Sequence, residues 1–117
     1  MEPLKKLERS ERIDRSRARA WALQIHYRWE SNGLEGSLRD VLVDTTATRR
    51  ISPRRLPYIR QLLLFLDEHL TEIDTTLRCY LDNWSLDRLS RIDRAVLRLG
   101  VVELLYLEEI PPKVAIQ

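Results

Sequence analysis

Apolar positions in this chain recur at three- and four-residue intervals over most of its length, the spacing of helices that each bury one face. The first run predicts a helix over residues 10–30, in which Ala18, Trp21, Ala22, Ile25 and Trp29 form one apolar stripe. Asn32-Gly33 follows as its stop signal, because both residues tolerate the left-handed backbone that ends helices. On the same wheel Arg12, Arg15, Arg19 and His26 fall together on a second face, with Leu23 and Tyr27 beyond it. A shorter helix is predicted over residues 34–47, closed by a Thr-rich loop and Ser52-Pro53. Leu56, Ile59, Leu63, Leu66, Leu70, Ile73 and Leu77 then mark residues 54–80 as one long helix or two abutting ones. Thr71, with Asp74 three residues on, is the candidate cap of a break there. Ser85 precedes Leu86 as a further candidate N-cap. A last complete helix is predicted over residues 90–107; it is apolar nearly all round and so is expected in the middle of a bundle. Pro111-Pro112 ends the connection after it, and residues 113–117 open another apolar-patterned segment. No stretch alternates long enough to be a strand. The predicted fold class is all-α.

Composition narrows this picture. A length of 117 residues suits one compact domain, or two small lobes sharing a core. A hydrophobic fraction of 44% against 32% charged excludes wholesale disorder. A single cysteine, Cys79, cannot make an internal disulfide, which fits a reducing compartment; inside a helix it is expected in the core. The first six residues lead into a charged run, not an apolar one, so no signal peptide is expected. The most apolar stretch, residues 95–107, is too short for a bilayer and is interrupted by Arg98 and Glu103. The expectation is a cytoplasmic protein with no membrane partner.

The net charge of +2 argues nothing about partners by itself, so the placement of charge has to carry that argument. Arg15-Ser16-Arg17-Ala18-Arg19 is the sharpest local feature, and residues 15–29 hold four arginines and no acid. Guanidinium forks are always charged, pair with phosphate oxygens and stack on bases, so an arginine-rich helix beside aromatic edges suits RNA. The plain alternative is a solvated helix face. A second acid-free stretch, residues 45–66, carries Arg49, Arg50, Arg54, Arg55 and Arg60. It extends the basic surface if it folds beside the first helix; a loop with charged ends is the reading favoured by pattern alone. Acidic residues gather elsewhere, at Asp67, Glu68, Glu72 and Asp74 and at Glu103, Glu108 and Glu109, a segregation that favours one basic face.

Among the aromatic residues, Trp21 and Trp29 belong to the apolar stripe and read as core, and Trp84 is a third, less placed candidate for stacking. Tyr27 points off the stripe towards the basic side and is the better stacking platform. His26 is expected near the arginine face as a surface residue. Glu103, an isolated carboxylate in the most apolar helix, is expected to pair with Arg98 or Arg94. There is no glycine-rich phosphate loop, no spaced Cys/His cluster and no Ser/His/Asp set. No catalytic residue, metal or cofactor is expected, and the chain does not read as an enzyme.

Two segments carry a family resemblance. One is Arg15-Ser16-Arg17-Ala18-Arg19-Ala20-Trp21-Ala22-Leu23-Gln24-Ile25-His26-Tyr27-Arg28-Trp29. The other runs from Asn83-Trp84-Ser85 through Arg94-Ala95-Val96-Leu97-Arg98 and Glu103-Leu104 to Pro112-Lys113-Val114-Ala115-Ile116. In order and spacing both resemble the NusB family of transcription antitermination factors. The resemblance implies two small helical subdomains packed at an angle, here residues 10–70 and 71–117. It further implies binding of single-stranded boxA RNA in nascent transcripts, notably of ribosomal RNA operons. The implied partners are NusE, a small-subunit ribosomal protein, and RNA polymerase with other Nus factors. Carried over residue by residue, Arg15, Arg17 and Arg19 match the family's RNA-binding arginines, with Gln24 and Tyr27 beside them. Ser16 stands where many relatives have another basic residue. The family's pattern continues into a final long helix, whereas this sequence stops at Gln117; without that helix apolar area over residues 99–107 is expected to be uncovered, which a homodimer would cover. Two rival readings follow: an interaction module with weak or lost RNA binding, or a fragment of the NusB-like domain of an rRNA cytosine methyltransferase.

Overall fold

The longest helix is α1 (Arg9–Ser31), and it has no proline or glycine to interrupt it. Glu11 accepts a hydrogen bond from the Glu8 N–H at 3.4 Å at its start. At its end the Asn32 and Gly33 N–H groups fall back on the Arg28 and Glu30 carbonyls, each at 3.1 Å. Gly33 takes a φ of 73°, which only glycine adopts without strain, so the Asn-Gly stop acts as the sequence predicts. The computed structural model describes residues 8–33, 35–82 and 84–107.

Four more helices follow: α2 (Leu38–Thr48), α3 (Leu56–Glu68), α4 (Leu70–Tyr80) and α5 (Arg91–Val101). A 3-10 turn, Leu86–Arg88, precedes α5, and a wider π-type turn, Val102–Tyr106, follows it. Among the described residues there is no strand, and the fold is all-α. The expected start of the second helix, residue 34, lies outside the described residues. Instead Ser37 caps α2, accepting from the Asp40 N–H at 3.0 Å while Asp40 accepts from the Ser37 N–H at 3.1 Å.

The break in the third segment falls at His69, not at Thr71, which sits inside α4. Backbone bonding runs on through the break, with the His69 N–H on the Phe65 carbonyl and the Ile73 N–H on the His69 carbonyl, each at 3.0 Å. The bend needs no side-chain cap because only one residue leaves helical geometry, and the His69 ring packs 4.3 Å from that of Phe65.

The helices enclose one core in which Ala18, Leu38, Ile59, Leu62, Leu63, Leu66, Ile73 and Val102 have no exposed area. The element wrapped by its neighbours is α1, packed against α2, α3 and α5. This corrects the expectation for the last helix. Regular α geometry ends at Val101, after which the Leu107 N–H reaches the Val102 carbonyl at 2.9 Å. Ile92 and Val96 are half-exposed, and Leu104 is 85% exposed.

A buried ionic cluster ties α1, α4 and α5 together. Arg98 makes a two-pronged contact with Asp74, Nε to Oδ1 at 2.8 Å and Nη2 to Oδ2 at 2.9 Å, both partners buried. Arg98 Nη1 also lies 3.2 Å from His26 Nε2. Arg94 Nε donates to Glu30 at 2.8 Å, and its Nη1 donates to the carbonyls of Leu86, Asp87 and Leu89, pinning the 3-10 turn. His26 is therefore not a surface residue: it is fully buried. Nor are Arg94 and Arg98 the partners of Glu103. Their carboxylates come from α1 and α4, which local spacing does not reveal. Cys79 is exposed, not in the core; two residues past buried Leu77, it points away from the face that α4 buries.

Candidate nucleic-acid interface

Helix geometry divides the alternating arginines between two flanks. At about 100° per residue, Arg15 and Arg19 lie one turn apart on the same side of α1, and Arg17 lies about 160° around from both. The two sides have different surroundings.

On the Arg15 and Arg19 flank, α3 and the turn after α5 close in. Arg15 Cζ sits 4.9 Å from the centroid of the Tyr58 ring, a cation–π contact. Arg19 Nε meets both oxygens of Glu103, at 2.9 and 2.7 Å, and the Tyr58 hydroxyl donates to the same carboxylate. Partial burial opposes the charge on Arg19, but the hydrogen bond and attraction of Glu103 outweigh it and raise its pKa. Burial also raises the Tyr58 pKa, as does its hydrogen bond to Glu103. Beside this cluster Asp14 draws in Arg55, at 3.2 Å, and Arg54, at 3.6 Å. A cavity of about 280 Å³ opens here, lined by Asp14, Arg15, Arg54, Arg55, Tyr58 and Gln61 among others.

On the opposite flank Arg17 is exposed. Trp21, Gln24 and Arg28 follow it at intervals of four, three and four residues, which places them in one row along the helix. This row borders a groove of about 310 Å³ between α1 and α2, to which Tyr27, Thr45 and Arg49 also contribute. Arg28 is fixed there, donating to Asp44 at 2.7 Å and to Thr45 Oγ1 at 3.1 Å. Tyr27 is 42% exposed, and Gln24 is exposed.

The structure thus brings Gln24 and Tyr27 together at the groove and sets Arg17 in line with Gln24, while Arg15 and Arg19 stand apart on the other flank. The second acid-free stretch does fold beside the first helix: Arg54 and Arg55 reach Asp14, and Arg49 reaches the groove. Sequence reasoning missed Tyr58 as a member of these surfaces. Trp21 packs against the core as its place on the stripe predicts, and being half-buried it also borders the groove. Its spacing of four residues from Arg17 and seven from Arg28 was the signal that sets Trp21 at the edge of the stripe. Nothing local marked Tyr58. Trp84 is exposed and lines neither cavity. Among the described residues no group of three or more His, Cys, Asp or Glu side chains is placed to hold a metal ion, and no helix is long and apolar enough to cross a membrane.

An all-helical fold with an arginine-bearing first helix between two surface clefts defines a class of helical binding protein. Comparison with known proteins makes the class specific. The model of the NusB family matches residues 16–117. A transcription antitermination protein NusB of Methylacidiphilum infernorum is 36% identical over 104 residues, spanning 89% of this chain and 72% of its own length. That of Thermobifida fusca is 38% identical over 108 residues, spanning 90% of this chain and 71% of its own length. A chain in the solved structure described as "Crystal Structure of a Plectonemic RNA Supercoil" superposes with a TM-score of 0.71 at 30% identity, covering 88% of this chain and 75% of that one. The chain belongs to the NusB family. Membership places it among transcription antitermination factors, which are not enzymes.

Proposed function

We propose that this chain binds the single-stranded boxA element of nascent ribosomal RNA transcripts, together with NusE, and so suppresses termination as part of a cytoplasmic RNA polymerase complex with other Nus factors. The observation that carries the reading is exposed Arg17 in line with Gln24, with half-exposed Tyr27 beside Gln24, on the first helix of a NusB-family chain. Arg17 supplies a phosphate contact on one flank. Arg15 and Arg19 extend the positive charge on the other, with Arg19 held in place by Glu103. Gln24 and Tyr27 meet an unpaired base by hydrogen bonding and stacking.

Because phosphate capture releases counterions, affinity should fall steeply as salt rises. The test is binding of labelled boxA RNA and of a scrambled sequence, with and without NusE. Preference for boxA that strengthens with NusE supports the reading. Equal, weak binding of both RNAs, with NusE still bound, leaves an interaction module.

A further inference from the structure

We propose that the groove between α1 and α2 is a slot for a single unstacked nucleotide base of the bound RNA, with Arg49 at the groove and Arg17 further along α1 attracting the phosphate backbone that leads to it. The inference deepens the RNA-binding reading above and rests on it.

The volume sets the scale of the occupant. About 310 Å³ is at the small end of ligand clefts, which suits one nucleotide and not a longer run. The lining sets its chemistry. Trp21 and Tyr27 present aromatic surface on which any base stacks. Gln24 contributes one amide that both donates and accepts, which is what the hydrogen-bonding edge of a base requires.

Charge sets the direction of the backbone. Arg28 is already committed to Asp44 and Thr45, so it forms a fixed planar wall and does not reach for phosphate. The Asp44 carboxylate beside it repels a phosphate entering from that side. Arg17 and Arg49 are exposed and carry the attraction instead. Arg17 stands about 10 Å along the helix axis from Gln24, at a rise of about 1.5 Å per residue. A short single-stranded segment spans that distance, so a chain caught at Arg17 is led along the row Trp21, Gln24, Arg28 with a base turned into the groove. A duplex offers no such base, which confines the slot to unpaired RNA.

The test uses the full chain and boxA RNA, with each nucleotide replaced in turn by an abasic residue that keeps its phosphate. One replacement should weaken binding about tenfold, the loss of one stacked base. Gln24→Ala should weaken binding of intact RNA severalfold and add nothing to the loss at that abasic position. Arg49→Ala should weaken all these RNAs alike and flatten the salt dependence. Arg17→Ala serves as the control for phosphate capture. If Arg17→Ala weakens binding while Gln24→Ala and every abasic RNA behave as the unmodified pair does, the groove takes no base and the inference is overturned. Loss of NusE binding in Gln24→Ala, with RNA affinity unchanged, overturns it in favour of a protein side chain as occupant. If the unsubstituted chain binds no RNA at all, the functional reading falls and the slot falls with it.

Discussion

Arg19 on α1 and Glu103 in the turn after α5 are joined through one nitrogen, with Nε 2.7 and 2.9 Å from the two carboxylate oxygens. Tyr58 of α3 donates to the same carboxylate, so three separate segments meet at this point. Arg19 is consequently part of the fold as well as part of the basic surface. Arg17, two residues away, is exposed.

The two arginines should therefore fail differently. Arg17→Ala should change stability by less than about 0.5 kcal/mol. It should weaken RNA binding and lower the slope of log affinity against log salt by about 0.7, the share of a single neutralised phosphate. Arg19→Ala should cost up to about 1 kcal/mol, because its side chain is 45% exposed and solvent screens the pair. Urea unfolding and RNA titrations at several salt concentrations measure both. Equal loss of stability in the two variants would contradict the division into flanks.

The pair Arg98 and Asp74 should matter far more. Both are buried, and removing Arg98 leaves the Asp74 carboxylate without its partner inside the protein, at a cost of about 3–5 kcal/mol. Removing Asp74 costs less, because Arg98 keeps Glu30 at 3.6 Å. Replacing both together, as in Arg98→Met with Asp74→Leu, should recover much of that loss. Thermal unfolding of the singles and the double decides it: a double variant as unstable as the sum of the singles would mean that the two charges do not act as a pair.

The helices were legible because each buries a periodic face, and the end of α1 was legible because Asn32-Gly33 is a local stop signal. The misplacements share one cause: long-range pairing leaves no periodic trace. His26 falls on the arginine side of the helical wheel, and nothing near it in sequence shows that Arg98, 72 residues on, covers it. Glu103 is likewise 84 residues from Arg19. Asp74 was legible as a cap partner for Thr71 and is instead the buried partner of Arg98. The family resemblance gave Arg15, Arg17 and Arg19 as one group, whereas the helical wheel already parts Arg17 from Arg15 and Arg19, and their different surroundings in the structure keep that division.

Burial of His26 has a pH consequence. The guanidinium of Arg98 has no acceptor, so His26 Nε2 accepts from it and the ring proton sits on Nδ1, 3.7 Å from Glu30 Oε1. Burial, then the positive charges of Arg98 and Arg94, lower the His26 pKa from 6.5 to about 3. The unfolded chain takes up a proton that the folded one refuses, so this contribution is present above pH 6.5 and is lost as pH falls towards 3. Glu30 and Asp74 face the same cluster, so the comparison is with His26→Gln, which keeps an acceptor and leaves both carboxylates in place. The variant should lose less stability than the original between pH 6.5 and 4. Parallel acid limbs would mean that His26 is not held neutral.

Exposure of Cys79 makes a simple prediction. The native protein should react with one equivalent of a thiol reagent without denaturant, at a rate close to that of the unfolded chain. Protection until unfolding would place the thiol back in the core and contradict the orientation of α4.

The central claim is recognition of boxA RNA through the first helix. Its most direct measurement is fluorescence anisotropy of labelled boxA RNA against a scrambled control, for the unsubstituted chain and for Arg17→Ala, with and without NusE and at two salt concentrations. The account predicts salt-sensitive binding that prefers boxA, tightens with NusE and weakens in the variant. Equal affinity for both RNAs, unaffected by NusE and by loss of Arg17, would contradict it.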